Sequence, residues 1–564
     1  MGFSSYLYQR PDMEETKHLF EERLETFRAC NSVVEARTAI AAINAIRDAF
    51  DSMGNLVYIR HSTDTNSEFY RDEQRFFDEF GPVMQSLTTA FYDALLTSPH
   101  RAELEKEIGE RVFRLAELQR KTFSPEVLED LQKENELTTK YQEIVASAKI
   151  AFDGKELNLA QFGPYTESPD RDLRKAASEA RFAFMALHEE EFDSIYDQLV
   201  KLRHGIAVKL GFPSFTELSY ARLNRTDYSQ EDVKRFRDQV HREIVPIVEG
   251  LTERKKARLH LDKLYYYDGA FSFATGNPTP KGSPEELVAY AKRMYAEQSD
   301  VTKSFFDFMI ENDLMDLVTG PGKAAGGYCT YIPQYGSPFI FANFNGTSGD
   351  VDVLTHEAGH ALQVFLSREQ VMPEYYWPTF EAAEIFSMSM EFFAWPWMDL
   401  FFKEDTDKYK FDHLSGALSF LPYGVAVDEF QHFIYANVDA TPAERKSAWR
   451  AVERKYLPSR DYAGNEYLER GGFWHIQSHI FGTPFYYIDY TLAQVCAFQY
   501  WQRSLDERDA AFADYLAIAR KGGSASFTEL VHAGNLTSPF ATGCLEEVSG
   551  AVRVWLDRID DSAF

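Results

Sequence analysis

Apolar residues recur at three- and four-residue spacing along most of this chain, and that period confines it to a mainly α-helical fold. From Asp12 to Ile150 the pattern gives helix after helix, as in Glu103–Lys121 and Ser124–Ile150. Ser124-Pro125-Glu126 marks a helix start, with proline in the first turn. Leu157–Tyr165 loses the helical period and is expected to hold a strand or hairpin. Helices are then expected over 170–189, 191–210, 230–260 and 284–312, and the aromatic run Asp262–Ala270 is expected to plug between helices. The stretch 317–350 differs, being rich in Gly, Tyr and β-formers. It predicts strands over 328–332 and 338–344, one small sheet in an otherwise helical chain. Beyond residue 363, helices are expected over 380–394, 411–437, 442–456, 488–503, 510–521 and 526–532. The organisation expected is an N-terminal helical region, 1–155, followed by a second region, 156–564.

Composition removes several classes of function. A net charge of −29 argues against a nucleic-acid partner, because phosphate binding needs basic patches. The four cysteines, Cys30, Cys329, Cys496 and Cys544, form no CxxC pair, so neither a disulfide framework nor a cysteine zinc site is expected. The first residues carry no apolar signal core, and the Gly2 myristoylation pattern fails at Tyr6. No apolar run of membrane-spanning length exists. A cytoplasmic protein with no membrane association is expected, and its oligomeric state is left open.

The densest chemistry lies in Val351–Gln363, VDVLTHEAGHALQ, which directly follows the sheet-like stretch. His356 and His360 are four apart, so on a helix both imidazoles share a face and can reach one metal ion. Glu357, beside them, is placed to take a proton from an activated water. The bland alternative is a core helix with two hydrogen-bonded histidines. A third histidine six residues after His360 would define one zinc-protease subclass, but that position is Leu366. What remains is a carboxylate from a second helix, and Phe380–Phe393 offers Glu381, Glu384 and Glu391 among apolar neighbours. Three such carboxylates are costly to bury without a metal or hydrogen-bonding partners. Spacing leaves open which of them is a ligand. Glu391 and Asp352 are both placed to orient a ligating histidine.

HEAGH followed by Glu384, Ser387 and Glu391 in an E-x-x-S-x-x-x-E helix resembles the M3 family of zinc peptidases, the thimet oligopeptidase and oligoendopeptidase F group. Gly471–Tyr490, Pro338–Thr347, Glu156–Ala180 and Leu259–Asp268 are also similar to that family, so the likeness spans most of the chain from about residue 155. Gln363 departs from it, where several members have a further histidine that is not a ligand. The resemblance implies a neurolysin-like zincin fold, a large two-lobed helical body with a deep central channel and one Zn²⁺ at its floor. It implies Glu384 as the third ligand beside His356 and His360. It also implies His479, Tyr486 and Tyr490 as donors to the transition state, with Tyr487 a neighbour that stays open; His475 is expected to be structural. The activity implied is hydrolysis of internal bonds in short unstructured peptides, with Glu357 as general base. A zinc exopeptidase and a non-enzymatic peptide binder are the alternatives. The strand holding Phe339, Phe341 and Asn343 is expected to pair with extended peptide as an edge strand. The loop carrying Gly326 and Gly327 is expected to close over it.

Overall fold

A computed structural model describes residues 2–564. The N-terminal helices α1 (Met13–Arg28), α2 (Val33–Thr63) and α3 (Glu68–Leu96) pack through Phe20, Leu24, Phe27, Ile40, Ile43 and Phe91 into a core of their own. Asp12 and Ser32 cap the first two helices, accepting backbone N–H groups of their first turns. Met372 and Tyr375, distant in sequence, complete this core. Arg47 on α2 reaches Glu374 at 2.6 Å, and the Tyr92 hydroxyl donates to the same carboxylate oxygen at 2.7 Å. The first lobe is thereby stapled to the loop that precedes the Glu384 helix.

A two-stranded antiparallel hairpin follows, β1 (Ile150–Phe152) and β2 (Lys155–Leu157). The hairpin expected over Leu157–Tyr165 therefore lies just upstream. That segment instead forms a 3₁₀ turn, Ala160–Phe162, and a short helix, Gly163–Thr166. Among the described residues there are thus two small sheets. Asp153 and Gly154, both at positive φ, make the tight turn. The second sheet holds β3 (Met315–Val318), β4 (Tyr328–Ile332) and β5 (Ser337–Phe344) in the order β3-β5-β4, with β3 parallel and β4 antiparallel to β5. This corrects the edge-strand expectation for 338–344: β5 is central, and the edge strands are β3 and β4.

After the sheet come α4 (Gly349–Ser367), α5 (Phe380–Phe393), α6 (Thr406–Ala436) and α7 (Tyr487–Ala519). The two helices expected over 488–521 run end to end within α7 and meet at a kink where Glu507 leaves helical geometry. The helix expected over 284–312 is broken at Ser299, whose side chain caps the second half. The helix expected over 230–260 contains a π turn at Val240–Ile244, just ahead of Pro246. A C-terminal helix, Cys544–Asp557, was not anticipated. All of these pack around one extended apolar core that includes β5, α4, α5 and α7. Among the described residues no helix is long and apolar enough to cross a membrane. Between the lobes lies a cavity of about 1430 Å³, walled by α2 residues such as Tyr58 and His61 on one side and by α4 and α5 on the other.

Candidate active site

Helix α4 begins where the chain leaves the sheet. The Asp350 carboxylate accepts the backbone N–H groups of Asn345 and Gly346, both at 2.8 Å, and places negative charge at the positive helix end. Farther along the helix, His356, Glu357 and His360 face the cavity. Gly359, beside them on the side turned to α5, determines how near α5 can come. A Cβ added there would lie 2.3 Å from the Phe386 carbonyl oxygen and 2.7 Å from Ser387 Cα. Only glycine allows this backbone contact, and the contact brings Glu384 to the histidines. Gly359→Ala is therefore expected to lower stability by about 2 kcal/mol or more through forced separation of the helices. A thermal melt checks this, and an unchanged midpoint would show that the close packing is dispensable.

Nε2 of His356 and of His360 stand 3.2 and 3.3 Å from Oε2 of Glu384. The three residues each offer one ligand atom, all within 4.8 Å of one another. Among the described residues this is the one such group. Ser387 donates its hydroxyl to Glu384 Oε2 at 2.8 Å, and the Tyr486 hydroxyl donates to Oε1. Burial would raise the Glu384 pKa, but the two histidines against it hold its carboxyl well below the usual range. Burial pushes the Glu357 carboxyl up, and its Oε2 has no partner, nor has Nδ1 of His360. Two imidazoles, a carboxylate held ionised and unsatisfied polar atoms beside them form a donor set suited to a metal cation.

Glu391, two turns beyond Glu384, bridges behind the candidate ligands. Its Oε1 lies 2.7 Å from His356 Nδ1, and its Oε2 lies 2.8 Å from Nε2 of His413 on α6. Trp395 donates its indole N–H to Nδ1 of His413 at 3.2 Å, which assigns the proton facing Glu391 to Nε2. Asp352 touches no site histidine and accepts the Tyr409 hydroxyl at 2.6 Å. Of the two residues expected to orient a histidine, Glu391 has the geometry. Its partner His413, and the Trp395 that bonds His413, carried no signal in the sequence. Glu391→Gln is expected to weaken metal binding about 10- to 100-fold. Competition with a chelator reads this, and an unchanged affinity would contradict it.

Tyr486, His479 and Tyr490 arrive from the start of α7 and the turn before it. Gln477 accepts the Tyr423 hydroxyl on Oε1 at 2.8 Å, so its Nε2 donates to His479 Nδ1 at 2.7 Å. The His479 proton is thereby assigned to Nε2, 3.1 Å from the Tyr490 oxygen. Burial lowers the His479 pKa to about 4, leaving the ring neutral. Tyr486 follows Phe485, a non-glycine residue held at φ 67°. Three side chains clamp this strained turn. Gln431 on α6 accepts the Phe485 N–H at 2.8 Å, Arg225 donates to its carbonyl at 2.7 Å, and Ser219 donates to the Pro484 carbonyl at 2.9 Å. Glu381 does not join the candidate metal-ligand group; it is buried and faces Arg225 and Asp489. His475 is fully buried, between Tyr467 and Asp193, as expected of a structural residue.

His356, Glu357, His360, Glu384, His479, Tyr486, Tyr490, Gly326 and Gly327 all line the cavity between the lobes. Phe339 and Phe341 do not. They are 2% and 0% exposed, packed within the apolar core. Asn343 donates to the carbonyls of Ala324 and Gly326, both at 2.8 Å, and so fastens the glycine loop. The strand able to meet a ligand is β4. Ile340 donates its N–H towards β3, to Leu314, and Pro338 has none, so the residues opposite them, Cys329 and Tyr331, turn their backbone groups outward. Asn55 on α2 takes up the Tyr331 carbonyl at 2.7 Å. The backbone of Cys329, and of Gly327 two residues before it, is left at the cavity wall.

The chain belongs to peptidase family M3: that family's pattern matches residues 164–549, and the peptidase M3 N-terminal domain pattern matches residues 3–123. Among solved structures it is similar to Pz peptidase A with an inhibitor, at 58% identity and a TM-score of 0.99, covering 99% of this chain and 100% of that one. It is 21% identical to oligopeptidase PepF of Bacillus subtilis over 429 residues, 72% of this chain and 60% of that protein. An oligoendopeptidase F homolog of Borreliella burgdorferi is 22% identical over 287 residues, 50% of this chain and 48% of that protein. The match thus spans about half to three-fifths of the length of these two relatives.

Proposed function

We propose that this chain is a zinc metallo-endopeptidase, an oligopeptidase that hydrolyses internal bonds of short unstructured peptides. The observation that carries the reading is the His356–His360–Glu384 group, its ligand atoms within 4.8 Å, with the unpartnered Glu357 carboxylate beside it. Those three residues would hold one zinc ion. Zinc, when bound, supplies Lewis-acid polarisation of the scissile carbonyl and makes water acidic enough to deprotonate near neutral pH.

The remaining steps belong to the chain's own side chains. Glu357 accepts the proton of the attacking water and passes it to the departing amine. Its raised pKa suits both halves of that transfer. The Nε2–H of His479 and the hydroxyls of Tyr490 and Tyr486 are the donors for negative charge developing on the carbonyl oxygen. Tyr486, which donates to Glu384, also orients that ligand. The outward backbone of Gly327 and Cys329 pairs with an extended peptide, which makes recognition tolerant of sequence. The cavity between the lobes admits an extended segment and shuts out folded proteins.

End-blocked peptides of graded length, with products identified by mass spectrometry, test the reading. Cuts at internal bonds of the short peptides are expected, with folded proteins left intact. Release of terminal residues alone, from unblocked peptides, would indicate an exopeptidase. Binding without cleavage would indicate a peptide-binding protein.

A further inference from the structure

Arg222 stands on the wall of the cavity between the lobes, in company with Asn224 and with His479 and Thr483. Its Nη1 lies 3.0 Å from Oε2 of Glu134, and Nε of Arg203 lies 2.6 Å from Oε1 of the same carboxylate. Among the described residues neither arginine has another ion pair. Burial would raise the Glu134 carboxyl, but the two guanidiniums hold it down to about 2. Two cations therefore share one anion. One positive charge is left over at this wall, in a chain whose net charge is −29. The surplus belongs to Arg222. Arg203 is fully buried, and its other N–H groups go to the Tyr435 hydroxyl and to the Ile480 and Phe481 carbonyls. With Glu134 it forms a balanced ion pair that needs no third member.

Unused donors decide what this charge would meet. With Nη1 of Arg222 taken by Glu134, neither its Nε nor its Nη2 has a partner among the described residues. That edge of the guanidinium matches the two oxygens of a carboxylate. Asn224 adds a second donor independently. Gln119 Nε2 donates to the Ala221 carbonyl at 3.3 Å, which fixes its amide orientation, and it donates also to Asn224 Oδ1. The Asn224 amide nitrogen is left facing no acceptor among the described residues. The pair is tied to the catalytic side of the cavity as well. Ile480 and Phe481, whose carbonyls hold Arg203, directly follow His479.

We propose that Arg222 and Asn224 form a subsite for a carboxylate of the peptide, carried by a residue within a few positions of the scissile bond. The inference rests on the peptidase reading for the path by which that carboxylate arrives. A free C-terminus and an aspartate or glutamate side chain present the same chemistry.

Peptide binding to metal-loaded Glu357→Gln protein, measured by calorimetry, tests the proposal without requiring turnover. One series compares free with amidated C-termini in acetylated peptides of graded length. A second sets aspartate against asparagine, and glutamate against glutamine, at each position of peptides blocked at both ends. At one length or one position the anionic form is expected to bind about tenfold tighter, the effect of a partly solvated ion pair. Arg222→Met should bring that ratio close to one while the thermal midpoint holds, because Arg203 and Glu134 stay paired. Asn224→Asp is a second variant that keeps the acceptor for Gln119 and puts a negative charge where the free donor was. It should abolish the preference too. Ratios near one throughout, or a ratio that both variants leave unchanged, would overturn the subsite. Wild-type protein that binds with the preference yet cleaves nothing would overturn the peptidase reading and leave the subsite standing.

Discussion

Glu357→Gln is expected to lower peptide turnover by about a thousandfold or more while the metal content stays that of the unaltered protein. The substitution keeps the shape of a side chain that is 5% exposed. It leaves His356, His360 and Glu384 untouched, so the ligand group persists. What it removes is the ability to take a proton. Burial raises the Glu357 pKa towards the range in which a carboxylate both accepts and returns a proton efficiently. An amide does neither. Steady-state cleavage of a fluorogenic peptide, with metal analysis of the same sample, separates loss of the base from loss of the metal. Residual activity within about tenfold of wild type would remove Glu357 from the proposed mechanism.

Arg225→Met is expected to cost about 3–5 kcal/mol of stability, the usual result of stripping the partner from a buried charge. Arg225 is buried, and its Nη2 lies 2.5 Å from Oδ1 of Asp489, which is 0% exposed. The same nitrogen holds the Phe485 carbonyl at 2.7 Å. Glu381, one turn before the proposed ligand Glu384, faces the same guanidinium, and burial raises both its pKa and that of Asp489. Without Arg225, two carboxylates share an apolar interior with no cation, and the strained turn before Tyr486 loses one of its three clamps. The thermal midpoint should fall by several degrees. Asp489→Leu added to Arg225→Met should recover part of the loss, a coupling that distinguishes the charge effect from lost packing. A midpoint unchanged in Arg225→Met would show that the pair is not load-sharing.

The helices were legible because their information is local: period, caps and proline breaks all lie within a few residues. The His356–His360 pairing was legible for the same reason. Three glutamates on α5 were not separable by spacing, since all three lie within three turns of one buried helix. The structure separates them by what each meets: Arg225 for Glu381, the two histidines for Glu384, and His356 with His413 for Glu391. The likeness to peptidase family M3 had singled out Glu384, which spacing could not. The misplacement of β5 has a different cause. Its parallel partner β3 is four residues long and is joined by no hairpin turn, so nothing local announces that 338–344 is paired on both sides. His413, Gln477 and Arg225 were invisible because each acts through a neighbour distant in sequence. Gly359 stood in plain view inside HEAGH, but its meaning depends on the Phe386 carbonyl across the helix interface.

The central claim is that His356, His360 and Glu384 together hold one zinc ion. Elemental analysis of the purified chain beside its Glu384→Ala variant tests it most directly. The account predicts close to one zinc per chain in the first and a large loss in the second, with both samples folded by circular dichroism. Equal metal content in the two, or no stoichiometric metal in a chain that cleaves peptides, would contradict it.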